Sequence, residues 1–262
     1  MRLVRGVGTA AAVVLAVSLL GARVHPYGDA GLYKTNDAPA IAEHAAMPAE
    51  VRALLTTKCA DCHSSVTRSP VYGRLAPASW LMERDIVEAR KRMNLSQWDS
   101  YSPEEQETLK AKMVQETKSG DMPALQYRAI HWSARMTSAD LDLLTRWAHE
   151  GSATEVVQAG LRGDAARGQA VFEKRCSGCH ALDTSREGPR LRGVFGRTSG
   201  SVPGFPYSTG LRDAHVVWNE SSLDKWLADP ETLISSSNMD FRVPKAQERQ
   251  DLIAFLKSGA AK

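Results

Sequence analysis

The five residues Cys176-Ser177-Gly178-Cys179-His180 bring two soft nucleophiles and an imidazole together at a defined spacing. Thiols placed three apart can each form a thioether with a vinyl group of a haem. The histidine directly after the second thiol then lies beside the ring, where its nitrogen can bind iron. The same order recurs at Cys59-Ala60-Asp61-Cys62-His63, and the two copies use all four cysteines of the chain. Cysteine pairs at this spacing also serve as short disulfides or as zinc ligands. Zinc draws four ligands from spaced pairs, however, and gives no reason for a histidine to abut the second cysteine in both copies. The pattern predicts two covalently attached haem c groups, with His63 and His180 as iron ligands.

Helices must deliver these motifs. Pro48 to Lys58 reads as a short helix with Val51, Leu54 and Leu55 on one side, leading into the first motif. A second begins near Ser79, taken as its N-cap, and its stripe of Met82, Ile86, Ala89 and Met93 has the spacing of a core face rather than of a cofactor box. Ser102-Pro103-Glu104-Glu105 and Thr137-Ser138-Ala139-Asp140 each open a further helix with a capping pattern. Leu109 and Met113 are expected to face inward from the first of these, and Leu144 and Trp147 from the second. The plan then repeats. Asp164 caps a helix that carries Phe172 into the second motif, a short helix is expected from Ser221 with Asp224 three residues on, and Pro244 to Lys257 closes the chain. His63 and Met122 stand 59 residues apart, as do His180 and Met239, and both methionines fall in loops. Alternating apolar runs are scarce. The expected fold is all-α: two small helical cytochrome c-like domains in tandem, each around one covalently bound haem c.

The domains expected are an N-terminal segment (residues 1–30), a first globular part (31–155) and a second (156–262), divided in the glycine-bearing stretch 151–163. Arg2 and Arg5 precede an uncharged apolar run from Gly6 to Ala22, the form of an export signal. It is either cleaved, after Ala22 or Ala30, or retained as a membrane anchor. Both outcomes place the globular part in the periplasm or another extracytoplasmic space, with inner-membrane attachment in the second case. The net charge of +3, spread over 24% charged residues, provides no concentrated basic face, so nucleic acid is not an expected partner. His25, His44 and His149 fall in linkers or at helix ends and read as solvated, and His215 as a surface loop residue.

Residues 164–258 resemble class I cytochrome c, particularly its mitochondrial-like branch. The resemblance rests on Gly168, Phe172, the second haem motif, Gly188-Pro189-x-Leu191, Gly193-Val194-Phe195-Gly196-Arg197, Tyr207-Ser208, Trp218, Pro230, Met239-x-Phe241 and the closing run Arg249 to Lys257. It implies that Cys176 and Cys179 anchor the haem and that His180 and Met239 are its axial ligands. It also implies that the Pro189 carbonyl orients His180 and that Arg197, Tyr207 and Trp218 meet the haem propionates. Three residues or groups depart from the family pattern. Trp226 stands in place of a tyrosine, Ser235-Ser236 replaces Pro-Gly, and the lysines that ring the haem edge are missing around Asn238. Residues 48–150 resemble a family of bacterial exported haem-binding domains through the first motif, Thr67-x-x-Pro70-x-Tyr72, Ser79-Trp80, Arg90, Asn94-x-Ser96-x-Trp98, Met122-Pro123, Tyr127, His131 and Trp147. By analogy with Met239, Met122 is the expected sixth ligand of the first haem, with His131 as the other candidate.

Iron closed by imidazole and sulfur suits outer-sphere electron transfer. The expected function is a dihaem electron carrier between redox proteins. Two alternatives stand beside it: a haem enzyme with an open first site, peroxidase-like or acting on a small molecule, and a fixed electron-transfer subunit of a larger oxidase or dehydrogenase.

Overall fold

The computed structural model describes residues 2–34, 39–41, 47–150, 155 and 160–258. His44 and most of the boundary stretch 151–163 lie outside them. The helices in chain order are α1 Arg2–Gly21, α2 Ala49–Lys58, α3 Ala60–His63, α4 Ala78–Arg92, α5 Pro103–Ser119, α6 Leu125–Ile130, α7 Ser138–His149, α8 Ala165–Val171, α9 Thr209–Asp213, α10 Glu220–Ala228, α11 Pro230–Leu233 and α12 Ala246–Ser258. Among the described residues the extended pairing is one isolated bridge, Thr198 with Val217. The fold is all-α.

Packing groups these helices into two compact units: Met1–Tyr101 with Leu125–Met136, and Ser102–Ala124 with Thr137–Lys262. This division differs from the linear one at residue 155. Helices α5 and α7 pack with the C-terminal half, whereas α6 packs with the first haem motif.

In the first unit α2 buries Val51, Leu54 and Leu55 and runs directly into Cys59 and α3. Helix α4 buries Ile86 and Ala89, as its stripe predicts. Its cap is a correction: Pro77 holds the N-cap position, and Ser79 lies inside the helix, fully buried. Arg90 fastens α4 to the chain after His63, donating to the Ser64 carbonyl (2.6 Å), the Ala30 carbonyl (2.9 Å) and Thr67 Oγ1 (2.9 Å). The end of α1 is tied into the same unit. Ser18 Oγ donates to the Ala76 carbonyl (2.7 Å), Trp80 Nε1 to the Gly21 carbonyl (2.9 Å) and Tyr33 to the Ala22 carbonyl (2.9 Å).

In the second unit α8 crosses α12 at Gly168, where a β-carbon would stand 1.9 Å from the Asp251 carbonyl oxygen. Only glycine permits that approach. It lets Phe172 and Phe255 meet with ring centroids 5.6 Å apart, a contact worth about 0.5–1.5 kcal/mol beyond area burial. Arg249 on α12 is almost fully buried and is held by Asp224 (2.9 Å) and the carbonyls of Val243 and Pro244. The capping boxes at Ser102 and Thr137 form as their patterns predict. The cap of α10 is Asn219 with Ser222, two residues earlier than the expected Ser221 with Asp224. The buried line of α5 passes through Ala111 and Val114, leaving Leu109 and Met113 half-buried.

Candidate functional site

The second motif is built where α8 loosens into a wider helical turn, Phe172–Cys176. His180 Nδ1 stands 2.8 Å from the Pro189 carbonyl oxygen, which fixes the ring and leaves Nε2 available. Gly188 lies against the flat of the ring, since a β-carbon there would come within 2.2 Å of His180 Cε1. The imidazole borders a cavity of about 540 Å³ whose wall also includes Met239, Cys176, Leu191, Val194, Trp226 and Leu252, with Arg197, Tyr207 and Trp218 among its lining. A largely apolar cavity lined by an imidazole and a thioether, with a thiol on its wall and polar groups in its lining, fits a flat macrocycle bearing two carboxylates. Burial pushes the His180 imidazole down, which keeps it neutral and able to bind a metal, and pushes Cys176 and Cys179, as free thiols, up to about 12.

Two of the family departures have visible consequences. Trp226 packs on Trp218 with ring centroids 5.3 Å apart, so the substituted side chain forms part of the cavity wall. Ser236 has φ +59°, the left-handed conformation for which glycine is suited and which costs other residues roughly 1–2 kcal/mol.

Helix α5 supplies one side of this site. Gln115, Glu116 and Ser119 line the same cavity, together with Asp121 just beyond the helix. Lys112 Nζ donates to the Gly178 carbonyl inside the haem motif (2.9 Å) and pairs with Glu187 (3.0 Å). Lys118 pairs with Asp240 (3.0 Å), next to Met239, and His149 on α7 lies 3.0 Å from the same carboxylate. Reciprocal pairs join Glu107 to Arg175 (2.6 Å) and Glu104 to Lys174 (3.1 Å). Burial pushes the Asp240 carboxyl up, but His149 and Lys118 outweigh it and hold the group below its ordinary value. His149 is therefore not a solvated helix-end residue. His215, by contrast, is exposed, as a surface loop residue would be.

The first motif sits at the junction of α2 and α3. His63 Nδ1 lies 3.3 Å from the Met93 carbonyl oxygen, and burial pushes its imidazole down. Burial likewise pushes the Cys62 thiol up to about 11. Asp61, between the two cysteines, accepts from Tyr127 (2.7 Å) and from Arg68 Nε (2.9 Å). Tyr127 stacks on His131 at 4.3 Å, and Tyr72 shares a short hydrogen bond with His131 Nε2. His131 is thus one side chain removed from the motif itself. Met122 follows the left-handed Gly120 and belongs to the other compact unit. No disulfide joins any two of the four cysteines, and neither pair falls in a cluster of potential metal ligands among the described residues. Neither the disulfide nor the zinc reading is supported. The Asp61–Tyr127–His131 chain and the contacts of α5 were not legible as sites beforehand, because their members lie far apart in sequence.

A helical unit with paired thiols and an adjacent imidazole at the edge of a largely apolar cavity defines a protein that holds haem through thioethers. Residues 18–150 match the family model described as a haem-binding domain, and residues 165–260 match that of cytochrome c. Cytochrome c of Chlamydomonas reinhardtii is 41% identical over 103 residues, covering 38% of this chain and 92% of that protein. Cytochrome c of Euglena viridis is 42% identical over 99 residues, covering 37% and 97%. The solved structure of cytochrome cH from Methylobacterium extorquens shares 34% identity over 37% of this chain and 99% of that one, with a TM-score of 0.35. The chain belongs to the haem-binding domain family through its N-terminal half and to the cytochrome c family through its C-terminal part. Its chemistry is haem c-based electron transfer.

Proposed function

We propose that the chain is a dihaem c-type cytochrome that passes electrons between extracytoplasmic redox proteins. The observation that supports this reading is the cavity of the second unit, with His180 and Met239 both on its wall as the two candidate axial ligands. The haem supplies the one-electron chemistry, while the chain sets its burial, axial ligands and access. Retention of α1 as an attachment to a lipid surface is part of this proposal. Its last turn is hydrogen-bonded into the first unit, and Val13, Val14, Val17 and Leu20 are exposed. Among the described residues no helix is long and apolar enough to cross a membrane, so the attachment proposed is to the surface of the bilayer.

For the first haem the sixth ligand proposed is His131 rather than Met122. Its support is the shared packing unit and the link through Tyr127 to Asp61 inside the motif. One experiment tests both the function and the ligand: a potentiometric titration followed by optical and spin-resonance spectra. Two one-electron steps with both haems low-spin are expected. His131→Ala should turn the first haem high-spin, and Met122→Ala should leave it low-spin. Loss of the low-spin state in Met122→Ala alone would reverse the ligand assignment. A first haem already high-spin in the unaltered protein would replace the electron carrier with the enzyme reading.

The α5 contacts favour a wire fixed in one assembly over a free shuttle. Residues around the second haem motif and Met239 are engaged by Lys112, Lys118 and His149 of the same chain, where a soluble partner would otherwise dock. Lys112→Glu with Lys118→Glu places like charges against Glu187 and Asp240, a juxtaposition that costs several kcal/mol. The expected result is an increase of about tenfold or more in the bimolecular rate at which an external redox protein oxidises the second haem. An unchanged rate in stopped-flow measurements would mean that α5 does not guard this face.

A further inference from the structure

Away from both haem motifs, the turn after α1 and the middle of α4 bring together an imidazole and two carboxylates. His25 Nδ1 stands 2.7 Å from Glu83 Oε1, and ligand atoms of His25, Asp29 and Glu83 all lie within 4.8 Å of one another. The turn is shaped by Gly28, whose φ of +107° suits glycine and whose N–H donates to the His25 carbonyl. This reverses the chain between His25 and Asp29. Beside the cluster, Ala30 and Leu32 pack on Ile86 of α4, one helical turn from Glu83, and so hold the turn against the helix. His25 is therefore a partnered residue and not a solvated one.

Glu83 is the unusual member. Its side chain is 0% exposed, and while Oε1 faces His25, Oε2 has no hydrogen-bond partner. Ser79 Oγ, one turn earlier on the same face of α4, is likewise buried without a partner. A buried carboxylate oxygen left unpaired is costly, and His25 can satisfy only one of the two. A cation that meets the carboxylate and the imidazole together removes that cost.

We propose that His25, Asp29 and Glu83 form a binding site for one divalent transition-metal ion, of which Zn²⁺ is the representative. One imidazole with two carboxylates suits zinc and its neighbours better than calcium or magnesium, which take oxygen ligands throughout. Tetrahedral bonds of about 2.0–2.2 Å put neighbouring ligand atoms about 3.3–3.6 Å apart, so the 2.7 Å His25–Glu83 contact must open by roughly 0.6–0.9 Å to admit the ion. Asp29 now pairs with Lys34 (2.9 Å), an exposed contact of little strength that the ion displaces. The ion would pin the turn after α1 to α4, serving as a structural clamp.

The test uses the full-length holoprotein, stripped of loosely held metal with a chelator and titrated with Zn²⁺ by calorimetry, with metal analysis after dialysis. One Zn²⁺ per chain beyond the haem iron is expected. Glu83→Gln should weaken its binding by about a hundredfold and Asp29→Asn by about tenfold, with haem spectra unchanged in both. Asp29 is exposed, so its variant remains informative even if Glu83→Gln fails to fold. Failure of the unaltered protein to bind Zn²⁺ would overturn the proposal, as would binding of equal strength in Asp29→Asn. Neither result bears on the haem-based function.

Discussion

Replacing Cys59 and Cys62 by alanine is expected to leave one covalently bound haem per chain where two are expected in the unaltered protein. The effect is all-or-none because thioethers survive denaturation, whereas axial bonds and packing do not. No disulfide ties up either pair, each pair is followed directly by an imidazole that burial pushes down, and neither pair takes part in a zinc-like cluster among the described residues. The measurement is the intact mass and haem spectrum of acid-denatured protein made in a host that matures c-type cytochromes. Two covalent haems in the double variant would mean that the first motif is not an attachment site. Haem extracted entirely by acid solvent from the unaltered protein would remove the dihaem reading altogether.

Met239→Ala should have the second large effect. Met239 and His180 border the same slot, and the replacement removes the only sulfur ligand proposed for that iron. The weak near-infrared sulfur-to-iron band should vanish and the potential of the second haem should fall. Axial-ligand identity spans about 0.8 V across haem proteins, so a drop on the order of a few tenths of a volt is expected. The unit should remain folded. Asp240 stays held by Lys118 and His149, Ser237 Oγ still donates to the carbonyl of residue 239, and the thioethers keep the haem in place. An unchanged band and potential would show that another residue binds this iron.

These two expectations differ in how they arise from the chain. Haem attachment requires residues that are contiguous, so both motifs can be read directly, and the helix starts at Ser102, Thr137 and Asp164 are equally local, each depending on residues three or four apart. The Ser79 cap failed because α4 starts two residues earlier, with Pro77 at its N-cap, and the Ser221 cap failed because Asn219, two residues before it, takes that position.

What tertiary structure alone decided is which distant groups meet. Asp61 and Tyr127 are 66 residues apart, His25 and Glu83 58, and Lys118 and Asp240 122. In each case neither partner has a local pattern that reveals the other. The lysines missing around Asn238 could be noted from the sequence, but not that Lys112 and Lys118 of α5 would bring positive charge to the same face. Local chemistry depends on covalent spacing, which the sequence determines by itself. The sixth ligand proposed for the first haem, the guarding proposed for the second and the buried Glu83 oxygen all turn on which surfaces the chain buries together, because only burial removes the water that would otherwise satisfy such groups.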